Sequence, residues 1–174
     1  EDRDIPVDKH TCNILTDLSN SIRPSIQFVG DVASDYADNS VSILDMSVNM
    51  IEIEVEASNG DNIPAYKYPQ IEYKFFKKPM SRQTIMKSNS AMPESIKRET
   101  LVNEMIRRLA NISLNHPNTK KNTVEAVNSY MIAMKQSGYS ERVRRETAIA
   151  GFKGFKRKVE EAKMLGKPLH RHME

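Results

Sequence analysis

The chain has few of the residues that mark the common specialised classes of protein. Cys12 is the single cysteine in 174 residues, so no internal disulfide can form and a reducing compartment is expected. No apolar run approaches the roughly 20 residues that span a bilayer, and the first residues are charged rather than signal-like. Tryptophan is absent and aromatic residues make up 6%. These absences predict an intracellular protein, cytoplasmic or nuclear, with no membrane segment and an aliphatic, methionine-containing core.

The sequence also lacks the common signatures of a self-sufficient catalytic or cofactor site. It has no Gly-rich phosphate loop, no zinc-ligand spacing, and no Ser/His/Asp or Cys/His set that the spacing singles out. We therefore predict no catalytic residue, no metal ligand and no cofactor within this chain. Because it opens on Glu1 without an initiator methionine, we interpret it as a piece of a longer protein.

What the chain does have is a very uneven distribution of charge. Residues 1–64 carry 13 acidic and 3 basic residues, whereas residues 65–174 carry 10 acidic and 23 basic ones. From residue 93 to 165, Lys and Arg outnumber Glu by about two to one and Asp is absent. Such an excess is typical of a surface that contacts phosphates, although a run of charge can also be an ordinary solvated face.

The hydrophobic pattern of the first half predicts one helix followed by a long antiparallel β-hairpin. Between Asp8 and Pro24, apolar residues at spacings of three and four predict an amphipathic helix. A short strand at 26–29 and an acidic loop at 31–40 are expected after it. Alternation over residues 42–55 predicts a single strand with a bulge near Met50, where the phase slips. Asn59 to Asn62 supply the turn to a second strand that ends at Pro79.

The second half has the helical period throughout. Three amphipathic helices are expected, at 93–115, 119–138 and 140–166, separated by Pro117 and by Gly138. The predicted fold is α+β: an N-terminal helix and a long antiparallel β-hairpin packed beside a three-helix bundle. We place the domain boundary between residues 1–80 and 81–174, the second part including a C-terminal tail.

Four short segments follow one another along the chain: Val41–Met46, Tyr73–Pro79, Ser90–Arg98 and Ser137–Ser140. They contain a Leu-Asp strand, a strand with a basic, Pro-terminated end, a Ser-x-x-Pro helix start with Lys, and a Gly-Tyr turn. In this order they resemble the reverse transcriptases of retroelements, Penelope-like and related invertebrate elements in particular.

The resemblance implies that residues 1–80 are the end of a palm, with the hairpin near the primer grip, and that the bundle is a thumb. The implied partners are an RNA–DNA template–primer duplex and the upstream palm and fingers of the same polypeptide. Magnesium is implied only for the complete polymerase, because the family's catalytic aspartates belong to a motif that would precede Glu1. Tyr36-Ala37-Asp38-Asn39 comes close to the reverse transcriptase Tyr-Ala-Asp-Asp motif, but it has an amide at its last position and follows the first helix, so we interpret it as a solvated loop.

The basic positions of the second half are the candidate binding residues. We expect Lys77, Lys78 and Arg82 beside the primer strand, and the remaining candidates on duplex phosphates; these are Lys97, Arg98, Arg107, Arg108, Arg144 and Arg145. The alternative interpretation is a non-enzymatic nucleic-acid-binding or protein-interaction module.

Overall fold

A computed structural model of the chain describes residues 7–22, 25–55, 66–76 and 85–166. It divides into two compact units, Glu1–Tyr73 and Lys74–Glu174. The expected α+β class is confirmed, with one difference: the antiparallel sheet has three strands instead of two. The elements are α1 (Val7–Ile22), β1 (Ser40–Ile43), β2 (Met46–Val55), β3 (Tyr66–Phe75), α2 (Glu94–Ala110), α3 (Thr119–Gln136) and α4 (Glu141–Leu165), with a 3-10 turn at Ala33–Asp35.

The single bulged strand expected over residues 42–55 is wrong. The chain instead makes a tight turn at Leu44 and Asp45, so that Ile43 pairs with Met46 across an antiparallel hairpin. Leu44 has a φ of 55°, in the left-handed region that side chains with a Cβ rarely adopt, and its side chain is 83% exposed. The sheet order is β1-β2-β3. In β2 the expected alternation is present, since Glu52 and Glu54 are exposed between half-buried apolar residues.

Replacing Leu44 with glycine should stabilise the hairpin turn. Glycine removes the roughly 1–2 kcal/mol cost of the left-handed conformation, and its greater freedom in the unfolded chain returns part of that gain. We expect the free energy of unfolding, measured by urea denaturation, to rise by about 0.5–1 kcal/mol. Leu44→Ala is the control, because it keeps a Cβ and should give no rise. Equal effects of the two substitutions would contradict the explanation.

The strand expected at residues 26–29 is also wrong. These residues are exposed and irregular, and Asn20 on α1 holds them: its Oδ1 accepts from the N–H of Phe28 at 2.7 Å and its Nδ2 donates to the Phe28 carbonyl at 3.2 Å. The side-chain amide thus replaces the pairing that a strand would have found in a sheet. The expected turn at Asn59 to Asn62 and the strand end at Pro79 lie outside the described residues.

The three expected helices of the second half are confirmed. Their core consists of Leu101, Met105 and Leu109 from α2 with Tyr130 and Met134 from α3, all of them at most 2% exposed. Tyr130 donates its hydroxyl to the Leu101 carbonyl at 3.0 Å, and burial raises the pKa of this phenol. Two details differ: α2 ends at Ala110, five residues before the expected end at 115, and Val124 of α3 is 51% exposed although its helical spacing from Val127 and Met131 predicts an inward position.

The ends of α3 and α4 follow from local chemistry. Gly138 has a φ of 87° just after α3, and Gly166 has a φ of 58° just after α4, the left-handed position that favours glycine. The Ser140 Oγ accepts from the Val143 N–H at 3.4 Å and caps the first turn of α4. These caps fix the register, and therefore which side chains of α4 face the bundle.

Candidate nucleic-acid interface

Two glycines bring α4 close to α2. A Cβ added to Gly151 would lie 2.8 Å from the Met105 Cβ and nearer still to its Cγ, and one added to Gly154 would lie 2.6 Å from the Ile106 Cδ1. Gly151 is buried and marks the inner side of α4. The opposite side of the helix is therefore the side that faces solvent.

That outer side carries a line of basic residues. Arg142, Arg145, Lys153 and Lys156 are all exposed, and their spacings of three, eight and three place them within one quadrant of the helix. We call these four residues the α4 basic face. At 1.5 Å per residue the face runs for about 21 Å, from Arg142 to Lys156, along the N-terminal part of the 25-residue helix. A shallow groove of about 450 Å³ lies at its N-terminal end, lined by Glu141, Arg142, Arg145, Glu146 and Ile149.

The α4 basic face is only partly neutralised. Arg142 lies 2.8 Å from Glu146, and Lys156 lies 3.9 Å from Glu160. In both pairs the cation precedes the acid, the less favourable order on a helix, and exposed pairs of this kind contribute little in water. Within the described ranges, Arg145 and Lys153 form no ion pair. Their charges are available to a phosphate.

Arg98 adds a cation from α2 at the start of this face. Its Nη2 lies 3.6 Å from the Glu146 Oε2 on α4 and its Nε 3.9 Å from the Glu94 Oε1, while the side chain stays 56% exposed. The hydrogen bond from Arg142, together with the charges of Arg142 and Arg98, holds the pKa of Glu146 below its ordinary value. Arg98 is thus placed beside the α4 basic face, as a phosphate contact requires.

Lys97 turns the other way and does not suit the phosphate role expected of it. The residue is 7% exposed, and its Nζ donates to the Ser88 carbonyl at 2.8 Å and lies 3.0 Å from the Glu94 Oε2. Arg98, the next residue, points about 100° away and is exposed, so of the two only Arg98 is open to a phosphate. Lys97 fastens the segment before α2 to the helix and serves the structure of the bundle.

The same division occurs at Arg107 and Arg108, which share one carboxylate. Arg107 donates to both oxygens of Glu104 at 2.8 and 2.9 Å, and the Arg108 Nε donates to the Glu104 Oε1 at 2.8 Å. The Arg108 guanidinium lies between two rings, 4.4 Å from the centroid of Phe75 and 4.5 Å from that of Tyr130. This Glu104 cluster comprises Glu104, Arg107, Arg108, Phe75 and Tyr130.

Of the two arginines in the Glu104 cluster, only Arg107 is open to solvent. The Arg108 side chain is 9% exposed, so we assign it to the interior and correct the expectation that it contacts phosphate. The Arg107 side chain is 46% exposed. Burial, and then the charge of Arg108, lower the pKa of Arg107. Arg107 therefore remains a candidate phosphate contact, held in place by Glu104.

The last expected contacts divide in the same way. Arg145 is exposed, whereas Arg144 is half-buried and its Nε is enclosed without a hydrogen-bond partner in the described part of the chain. Lys77, Lys78 and Arg82 lie outside the described residues. Of the predicted candidates that the structure describes, Arg98, Arg107 and Arg145 therefore lie on the exposed surface. It omitted Arg142, Lys153 and Lys156 from the candidates, although their helical spacing from Arg145 is visible in the sequence.

Two of the segments that resemble reverse transcriptases meet in the second unit. The N–H of Ser88, just before the Ser-x-x-Pro helix start, donates to the Ser137 carbonyl at 2.9 Å, and a Cβ on Gly138 would lie 2.7 Å from the Ser88 Oγ. Tyr139, in the Gly-Tyr turn, is 6% exposed, and burial raises the pKa of its hydroxyl. The nearby charge of Lys97 lowers that pKa and the charge of Glu94 raises it. The two motifs form one local structure.

The segment that comes close to a polymerase motif is a turn. The Asn39 N–H donates to the Tyr36 carbonyl at 3.0 Å, and Asn39 adopts a φ of 49°, which asparagine tolerates better than most residues. The Tyr36 hydroxyl donates to the Asp31 Oδ1 at 2.6 Å, and the Asp38 Oδ2 accepts from Ser40 at 2.7 Å. All four residues of the segment are exposed. Among the described residues, no cluster of three or more His, Cys, Asp or Glu side chains is arranged to hold a metal ion.

Within the residues that the structure describes, no helix combines the length and apolar character needed to cross a membrane. No family model, no curated protein and no solved structure matches this chain.

Proposed function

We propose that this chain is the palm-end and thumb portion of an RNA-directed DNA polymerase of a retroelement, and that its three-helix unit holds the template–primer duplex. The observation that carries the proposal is the α4 basic face, a line of exposed cations on a helix that is seated tightly against α2. A rigid helix with cations on one side can follow a phosphate backbone without reading its sequence.

The local meeting of two motifs supports the retroelement part of the proposal. The Ser-x-x-Pro helix start and the Gly-Tyr turn are about 45 residues apart in sequence, yet Ser88, two residues before the first motif, donates its N–H to the carbonyl of Ser137 in the second. Lys97, the lysine of the first motif, anchors the same segment through the Ser88 carbonyl. The motifs thus have a shared structural task, which gives a physical reason for their occurring together.

In this proposal the described residues bind and orient, and no bond-making step is assigned to them. Nucleotidyl transfer in the complete polymerase would use magnesium on upstream carboxylates. Arg98 on α2 and the four residues of the α4 basic face would neutralise duplex phosphates and release their counterions. Arg107 lies on the side of α2 that points away from α4, so it is not part of this surface. Binding should therefore weaken steeply as salt rises.

The test is binding of the chain to a labelled RNA–DNA hybrid across a salt series. Replacing Arg145, Lys153 and Lys156 together with glutamine should weaken binding and reduce the slope of log affinity against log salt by about two to three, because each lost phosphate contact removes about 0.9. The matched control removes the same charge from α3 through the exposed Lys120, Lys121 and Lys135, again to glutamine, and should leave the slope nearly unchanged.

Three outcomes decide the proposal. Equal losses from the two triple variants would show that net charge alone drives binding and would count against the α4 basic face. Absence of binding even at low salt would count against the duplex role altogether. Tighter binding to the hybrid than to single-stranded RNA or duplex DNA would support the thumb assignment.

A protein-interaction module is the second candidate, favoured by two apolar side chains on the same side of α4. Ile149 is 56% exposed and Phe152 is 42% exposed, and both lie among the cations of the α4 basic face. A basic helix with an apolar centre also suits an acidic amphipathic partner. Replacing Ile149 and Phe152 with alanine distinguishes the two candidate functions, because phosphate binding should survive that change and docking of an apolar partner should not.

A further inference from the structure

The first helix is oriented unusually within its own unit. α1 directs its more polar side inward, since Lys9 pairs with Asp35 and Asn20 binds the backbone of Phe28. Gly30 packs against the same side, because a Cβ added there would lie 2.9 Å from the Thr16 Oγ1 and nearer still to the Cys12 Sγ. Residues 9, 12, 16 and 20 follow the helical spacing and form this inner side.

The apolar side of α1 is consequently left open. Ile14, Leu15, Leu18 and Ile22 are 55%, 58%, 58% and 73% exposed, and Phe28 and Val29 next to the helix are 49% and 90% exposed. Leu15, Leu18 and Ile22 have spacings of three and four, as at the seam of two packed helices. A continuous apolar surface of this kind usually marks an interaction site. We call Ile14, Leu15, Leu18 and Ile22 the α1 stripe.

The charges around the stripe indicate what covers it. Between His10 and Ile22 the only charged residue is Asp17, which by helical spacing lies away from the stripe, and the positions flanking it are Ser19 and Ser21. Both hydroxyls are already used, since Ser19 Oγ donates to the Leu15 carbonyl at 2.7 Å and Ser21 Oγ to the Leu18 carbonyl at 2.6 Å. From Ile14 to Ile22 the stripe therefore has no charged side chain along its edges.

We propose that the α1 stripe binds the α1 stripe of a second copy of this chain in an antiparallel, two-fold helix pair. An uncharged stripe meets no like-charge repulsion when it pairs with itself, whereas a basic or acidic partner would find no complementary charge there. The antiparallel arrangement also places the positive N-terminal end of each helix dipole beside the negative C-terminal end of the other. This inference does not depend on the proposed nucleic-acid function.

The expected dimer is weak. Four side chains from each copy make an interface at the low end of known sizes, below about 1,200 Å² in total, and such contacts are transient. We expect monomers at about 1 µM and a growing fraction of dimer toward about 100 µM, which corresponds to a dissociation constant on the order of tens of micromolar.

Sedimentation equilibrium of the full chain over that concentration range tests the proposal. Leu18→Glu should hold the chain in the monomeric state, because a carboxylate at the seam would face its counterpart in the other copy. Leu44→Glu is the matched control: it changes another exposed leucine of the same unit, 83% exposed at the β1–β2 turn, and should leave dimerisation intact. Circular dichroism checks that both variants keep their helix content.

Each outcome of the sedimentation experiment either supports or overturns the proposal. Dimerisation of the wild type and of Leu44→Glu, but not of Leu18→Glu, supports the proposal. A wild-type chain that stays monomeric at every concentration overturns it and leaves the stripe to a segment of another polypeptide. A dimer that persists in Leu18→Glu overturns it as well, because the contact must then lie elsewhere.

Discussion

Replacing Glu104 with alanine should lower the free energy of unfolding by about 3 kcal/mol, one of the largest losses available from a single side chain in this protein. Glu104 is the only carboxylate that pairs with Arg108 among the described residues, and the Arg108 side chain is 9% exposed. Without Glu104 the guanidinium keeps the two rings and a 3.2 Å hydrogen bond to the Ser129 Oγ, which do not compensate a buried charge.

Two further variants test whether the buried charge of Arg108 is the cause of that loss. Glu146→Ala removes a carboxylate that pairs with Arg98 and Arg142 in solvent, and it should change stability little. Adding Arg108→Met to Glu104→Ala should recover part of the loss, because methionine fits between Phe75 and Tyr130 without carrying a charge. Urea denaturation followed by circular dichroism measures all three. A loss from Glu104→Ala no larger than that from Glu146→Ala would show that the cluster is more hydrated than its burial indicates.

The sequence was most informative where the structure depends on local chemistry. The three helices of the second unit were predicted closely because Ser140, Gly138 and Gly166 act on the backbone next to them, and the apolar period of α2 reports directly on Leu101, Met105 and Leu109. The turn at Leu44 was missed for a physical reason. A two-residue turn pairs Ile43 with Met46 and so changes which parity faces the buried side, but the buried residues on either side of it, Ser40 and Ser47, are polar and give no apolar signal of that change. Leu44 and Asp45 also lack the glycine or asparagine that usually marks a left-handed position.

The sequence predicts an excess of positive charge in the second unit, but it does not predict which of the basic side chains are exposed. Adjacent basic residues such as Lys97 and Arg98, or Arg107 and Arg108, look alike in the sequence, yet each pair divides into one buried and one exposed side chain. The groups that decide which residue is buried come from elsewhere in the chain: Phe75 is 33 residues before Arg108 and Tyr130 is 22 residues after it. No local pattern contains that information.

The second large effect concerns the close packing of α4 on α2. It is tested by making the same substitution at two glycines of α4. Gly151→Ala should lower the free energy of unfolding by about 2 kcal/mol, even though alanine favours the helix by about 1 kcal/mol over glycine. The new methyl group would meet the Cβ and Cγ of Met105, which are fixed close to the α2 backbone, so the two helices would have to move apart.

Gly154→Ala gains the same helix propensity but meets mainly the Ile106 Cδ1, the end of a side chain that can rotate away, so we expect a change within about 0.5 kcal/mol. Thermal denaturation of the two variants beside the wild type is sufficient to compare them. The α4 basic face is presented by this contact, so Gly151→Ala should also weaken hybrid binding under conditions where the variant remains folded. Stabilisation of both variants to a similar degree would mean that α4 has room to adjust on α2, and the rigid presentation of its cations would then lose its structural basis.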